Sequence, residues 1–221
     1  MIGVMKKFKT ASPAVKASMA LLFANLILKG LSLISGPIFT RIMPTDQYGI
    51  VSTFQSWQSL LAVIVTLNLS QGVFNNGMLE FKENRDQFEF ALVVITVVCT
   101  GLFLLIFEIF KTSLLNMFEM PLVMVYIMAL YFLFVPAYQF WSGRQRYEYK
   151  YKALSIVTVC IGLFSLLLGV LFVLNVSSGK EAIARVYAME GVNIAVGIFF
   201  FVIIAVKAKF KLRIEYCIPT R

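Results

Sequence analysis

The sequence predicts an all-α membrane protein of six transmembrane helices, with both ends of the chain on the inner side. Three observations carry that prediction. The first is composition. Of 221 residues, 60% are hydrophobic and 14% charged, and the mean hydropathy is +0.85. A soluble domain sits nearer about 45–50% and 25%. The second is segmentation, because the apolar residues fall into six stretches of about the 20 residues needed to cross hydrocarbon. None of them shows the sustained two-residue alternation of a barrel strand. The third is charge placement. With the first segment entering from inside, 15 basic residues fall on inner segments and 3 on outer ones. Lys29 and Arg185 remain within spans. Such a split fits the positive-inside rule. It also accounts for the net charge of +9 without any nucleic-acid partner, for which a soluble basic module is needed.

In chain order, residues 1–16 read as a cytoplasmic amphipathic N-terminus. Ser12-Pro13 has the form of an N-cap followed by proline at the first helical position. The spans are then Ala17–Phe39, Tyr48–Ser70, Phe90–Phe110, Pro121–Trp141, Ala153–Asn175 and Ile183–Val206. Together they make a bundle over residues 17–206. The first stretch is too long for a signal-peptide core, and Lys29 interrupts it. The third and fifth are almost unbroken; the first and second carry polar residues. The Glu80–Glu89 stretch reads as a solvated inner turn, and the Arg144–Lys152 stretch as an interfacial belt of basic residues and tyrosines facing anionic lipid head groups. Residues 207–221 form a basic cytoplasmic tail.

Several chemistries are excluded. The chain has no histidine, which removes Ser-His-Asp triads, Cys-His dyads and histidine-ligated metals. Cys99, Cys160 and Cys217 have no metal or disulfide spacing. No G-K-[ST] phosphate loop occurs. The expectation is a protein that is not an enzyme and carries no cofactor or metal.

What remains is polarity inside spans, where each polar group is costly and is a functional candidate by default. In the first span Ser18, Asn25, Lys29, Ser32 and Gly36 share one helical face, with Lys29 about 15 Å deep at 1.5 Å per residue. In the second, Ser52, Gln55, Ser59, Thr66 and Ser70 do the same. Taken alone, a hydroxyl stripe is an ordinary helix–helix contact. Two consecutive stripes point to two helices lining one cavity. The sixth span holds Glu190, Asn193 and Gly197 at steps of three and four, with Arg185 near its outer end. Glu190 and Asn193 read as a coupling-ion site, or Glu190 as the charge partner of Lys29 or as an ordinary residue near water. Pro37 and Pro136 mark helix kinks.

The junction of the first two spans reads Ile38-Phe39-Thr40-Arg41-Ile42-Met43-Pro44-Thr45-Asp46-Gln47-Tyr48-Gly49. Thr40, Arg41, Pro44, Tyr48 and Gly49 resemble the junction of polysaccharide biosynthesis membrane proteins. These are the Wzx-type repeat-unit flippases of the multidrug/oligosaccharidyl-lipid/polysaccharide exporter superfamily. That resemblance implies a multi-pass protein of the bacterial cytoplasmic membrane, moving undecaprenyl-diphosphate-linked oligosaccharide repeat units between leaflets for capsule, O-antigen or exopolysaccharide. It implies a cationic cavity in which Lys29 compensates the diphosphate charge and Arg41, at the outer mouth, either binds phosphate or fixes the junction; with the polar faces above, the expected cavity lining is Lys29, Asn25, Ser32, Arg41, Gln55 and Ser59. Family members have roughly twelve to fourteen spans in two pseudo-repeated halves. The chain then corresponds to an N-terminal half, ending on the approach to a seventh span and not competent alone. A missing second half or a second copy completes the cavity. The alternatives are a non-transporting six-span scaffold or assembly subunit, or a lipid II or multidrug exporter of the same superfamily.

Overall fold

The computed structural model describes residues 13–209. The predicted N-terminal segment and tail lie largely outside them. Among the described residues there are eight helices and no strand: α1 Pro13–Ile42, α2 Thr45–Val65, α3 Gly72–Glu80, α4 Arg85–Ile109, α5 Lys111–Phe118, α6 Leu122–Tyr147, α7 Tyr151–Asn175 and α8 Glu181–Lys207. Five of them are long and apolar enough to cross a membrane: most of α1, with α4, α6, α7 and α8.

The predicted second span is the exception. Helix α2 has 21 residues, a length of about 30 Å at 1.5 Å per residue. Its serines and glutamines hold it below the apolarity of the other five. It nevertheless runs the length of the bundle. At its start, the Gln47 side-chain carbonyl accepts a hydrogen bond from the Ala182 N–H at 3.2 Å, satisfying one of the orphan donors at the start of α8. Past its C-terminus, Leu69 joins the apolar cluster at the other end.

Two apolar clusters hold the bundle, one toward each end. Phe39, Phe54, Phe107, Phe118 and Val186 pack at the α1–α2 end. Phe74, Met78, Phe88, Phe140 and Ile204 pack at the α3 end. Helix α8 is the axis, with α6 and α7 against it and α1 outermost on α7. Close approach of α6 and α8 requires Gly197, where a Cβ would sit 2.7 Å from the Phe134 carbonyl carbon. Small residues at such crossings let backbones meet in a membrane. Helix α1 is peripheral. Only 6% of its most apolar stretch is buried in protein.

Helices α3 and α5 are absent from the sequence reading. Each is a single short amphipathic unit. In α3 the buried residues Phe74, Gly77 and Met78 follow the i, i+3, i+4 pattern of one helical face, a signal nine residues long that span-scale averaging hides. The connection between α1 and α2 is the predicted junction. Pro44 ends the run and flanks α2 in extended conformation (φ −58°, ψ 149°), as expected where proline cannot continue the preceding helix.

Candidate functional site

Three helices converge on Arg185. It lies in the first turns of α8 and is only 9% exposed. One guanidinium nitrogen, Nη1, donates to the Ser165 carbonyl oxygen on α7 at 2.9 Å. The guanidinium carbon stands 3.9 Å from the centroid of the Phe39 ring on α1. Gly169 on α7 makes room for it. A Cβ there would collide with Nη1 and approach Phe39 to 3.0 Å. No carboxylate forms an ion pair with Arg185 among the described residues. A cavity of about 160 Å³ opens beside it, lined by Ser32 and Ser35 from α1 and by Tyr48, Ser52 and Gln55 from α2. At ~30 Å³ per water that is room for about five waters.

The local sequence explains why polar side chains persist here. Ser52, Ser56 and Ser59 each donate to the carbonyl oxygen four residues back, at 3.2, 2.9 and 2.8 Å. Their hydroxyl protons are satisfied inside α2, while each oxygen keeps capacity to accept. The Gln55 amide donates to the Met189 sulfur at 3.4 Å, a weak acceptor.

The predicted site residues separate into three groups. Ser32 and Gln55 line the Arg185 cavity. Asn25, Lys29, Arg41 and Ser59 are exposed and stand outside it. Lys29 makes no ion pair among the described residues. Arg41 occupies the last turn of α1, where a cation is favoured by the helix dipole. Glu190 and Asn193 bond one another at 3.1 Å, with Glu190 only 2% exposed. Glu190 therefore has amide neighbours and, at a distance, Arg185, and no ion pair joins it to Lys29 among the described residues.

Sequence reasoning noted Arg185 but placed no cavity around it. The cavity's walls come from residues more than 100 positions apart. It also missed a charged cluster at the α3 end. Arg144 donates to Asp86, to Glu89 at 3.3 Å and to Glu148 at 2.8 Å, and Lys150 donates to Glu148 at 2.6 Å. The predicted solvated turn and basic belt are therefore fastened together, α4 to α6. Burial pushes the Glu148 carboxyl up, but hydrogen bonds from Lys150 and Arg144 outweigh it and hold the group below its ordinary value. Near the α1–α2 end Lys111 donates to Tyr126 and to Glu108, both at 3.2 Å. Those bonds, the tyrosine's first, hold the ammonium above its ordinary value.

No group of three or more metal-ligating side chains occurs among the described residues. The chain matches no protein-family model, no curated protein and no solved structure.

Proposed function

We propose that this chain is a six-span, N-in membrane bundle that takes part in moving undecaprenyl-diphosphate-linked oligosaccharides across the bacterial cytoplasmic membrane. One observation carries the reading: a buried guanidinium that makes no ion pair among the described residues and feels the buried Glu190 carboxylate only at a distance, beside a hydroxyl-lined cavity. A charge in a membrane bundle is expensive unless it is paired or serves a polar path. Arg185 touches a carbonyl and a ring, and its carboxylate neighbour Glu190 acts on it across space without an ion pair. Its planar donors suit a phosphate oxygen, and charge-assisted bonds of that kind are the strong ones. Ser32, Ser52 and Gln55 supply further polar groups around the same space.

In this reading Arg185 takes the role that the sequence assigned to Lys29. Lys29 and Asn25, exposed on α1, lie on the face that a second bundle covers. The 15-to-3 distribution of basic residues supports the N-in orientation, with α2 as the sixth crossing. A reporter fused after residue 178 then lies outside the cell, and one fused after residue 149 lies inside.

The test is selective binding by the purified full chain in nanodiscs, read by native mass spectrometry. Undecaprenyl diphosphate is expected to bind at least tenfold more tightly than undecaprenol, and Arg185→Gln to abolish the preference. Equal retention of both lipids contradicts the proposal and leaves a scaffold or assembly subunit.

A further inference from the structure

A second, larger cavity lies at the other end of α2. Its volume is about 490 Å³, within the range of about 300–1,000 Å³ typical of small-ligand sites. Its polar lining includes Asn68, Gln71, Asn75, Gln139, Arg146 and Tyr147. They come from three places: the turn after α2, helix α3 and helix α6. None of the four amide side chains makes a hydrogen bond to protein among the described residues, and Arg146 makes no ion pair among them. Its neighbours in the same basic stretch differ, because Arg144 and Lys150 are both held by carboxylates.

Close packing builds the walls. Phe74 of α3 stacks on Phe140 of α6, with ring centroids 5.7 Å apart. Gly143 admits that ring, since a Cβ there would come within 2.7 Å of it. Asn75 follows Phe74 directly in the chain. Arg85 of α4 stands over the Tyr147 ring at 4.8 Å. The lining also changes character with depth. Arg146 and Tyr147 close α6, at the level where basic residues and tyrosines meet lipid head groups. Gln139 comes seven residues earlier, about 10 Å deeper at 1.5 Å per residue. Ala62 and Val63, set back from the end of α2, add an apolar edge, and Val63 is exposed.

Each step of that gradient matches one part of a phospholipid. A guanidinium free of carboxylates suits a phosphate oxygen. Amide N–H groups donate to ester carbonyl oxygens. An exposed apolar edge suits acyl chains. An ammonium head group finds no counter-charge, because no carboxylate lines the cavity among the described residues and one face of Tyr147 is covered by Arg85. We propose that this cavity holds the head group of an anionic glycerophospholipid, with its phosphate at Arg146, its ester region at Gln139 and its chains leaving past Val63. It is a resident lipid, separate from the cargo assigned to Arg185, and in the N-in orientation it belongs to the inner leaflet. The inference rests on the membrane bundle and its orientation, not on transport.

The purified full chain in neutral detergent is titrated with phosphatidylglycerol, phosphatidylcholine and water-soluble glycerol 3-phosphate, and bound ligand is read by native mass spectrometry. Phosphatidylglycerol is expected to bind at least tenfold more tightly than either of the others. Arg146→Gln should remove that preference, and Gln139→Leu should weaken phosphatidylglycerol at least threefold. Arg146 is exposed, so its variant keeps the test valid if the Gln139 substitution fails to fold. Lys152→Gln, which removes an exposed cation at the start of α7, should leave the preference intact, as should Arg185→Gln. No preference in the parent, or an equal loss in Arg146→Gln and Lys152→Gln, overturns the site in favour of diffuse attraction by the basic stretch. Glycerol 3-phosphate bound as tightly as phosphatidylglycerol overturns the lipid occupant in favour of a soluble phosphate ester. A matching loss of undecaprenyl diphosphate affinity in Arg146→Gln makes the cavity part of the cargo path and overturns a resident lipid. Phosphatidylglycerol preference without any preference for undecaprenyl diphosphate leaves the lipid site standing and removes the transport reading.

Discussion

Arg144 and Arg185 are both largely removed from water, yet they are held in opposite ways. Arg144 meets three carboxylates, from Asp86, Glu89 and Glu148. Arg185 meets one carbonyl oxygen and one aromatic face. The first cation is fully answered within the protein and fastens α4 to α6. The second makes no ion pair among the described residues, the buried Glu190 carboxylate acting on it only at a distance, and a cavity lies next to it. Burial by itself therefore does not identify a working charge. The surrounding partners decide whether a buried cation is a fastening or a binding group.

The contrast can be broken most severely at the saturated arginine. Arg144→Gln leaves Glu89, whose side chain is 4% exposed, as a buried carboxylate without its cation. Loss of one partner from a buried pair costs about 3 kcal/mol or more. Thermal unfolding in a neutral detergent should show this as the largest destabilisation among the single substitutions named here. Diphosphate binding by the folded fraction should be retained.

A smaller effect is expected at Gly169, which sharpens the other half of the comparison. In Gly169→Ala the new methyl group meets the Arg185 guanidinium and the Phe39 ring. Overpacking of this kind costs about 1–3 kcal/mol. The guanidinium must move from its place over Phe39, so affinity for undecaprenyl diphosphate should fall while the charge itself is retained. Unchanged affinity would mean that the position of Arg185 is immaterial.

The smallest effect concerns pH. The folded-state value of Glu148 lies below its ordinary one, so the unfolded chain binds protons more readily at this group. Its stabilising contribution is complete above the ordinary value near 4.5 and is lost as pH falls through the lower folded value. Unfolding midpoints measured downward from pH 6 should decline less steeply in Glu148→Gln than in the parent.

The sequence made some of this legible and left the rest dark, for a physical reason. Predicted spans and observed helices coincide closely, as with Ala153–Asn175 against Tyr151–Asn175 and Ile183–Val206 against Glu181–Lys207. Apolar length is a local property and survives without knowledge of neighbours. The Pro44 junction was equally local. The Arg144 cluster joins residues 55 and 58 positions apart, and the Arg185 cavity joins three helices. Neither has a spacing to read. Lys29 attracted attention because it interrupts an apolar run, yet it faces outward. Arg185 also stood out as a charge within a span, but nothing in its local sequence, a few residues from a helix start, shows that the fold encloses it. Asn68 and Gln71 were likewise hidden, because the cavity they line also takes residues from α3 and α6.

The most direct measurement compares the two arginines in one assay. The affinity of undecaprenyl diphosphate for the parent chain, Arg144→Gln and Arg185→Gln is determined in the same nanodiscs. An unsaturated Arg185 predicts at least a tenfold loss in Arg185→Gln and parent-like affinity in folded Arg144→Gln. Parent-like affinity in Arg185→Gln, or an equal loss in both variants, contradicts the distinction between a binding cation and a fastening one.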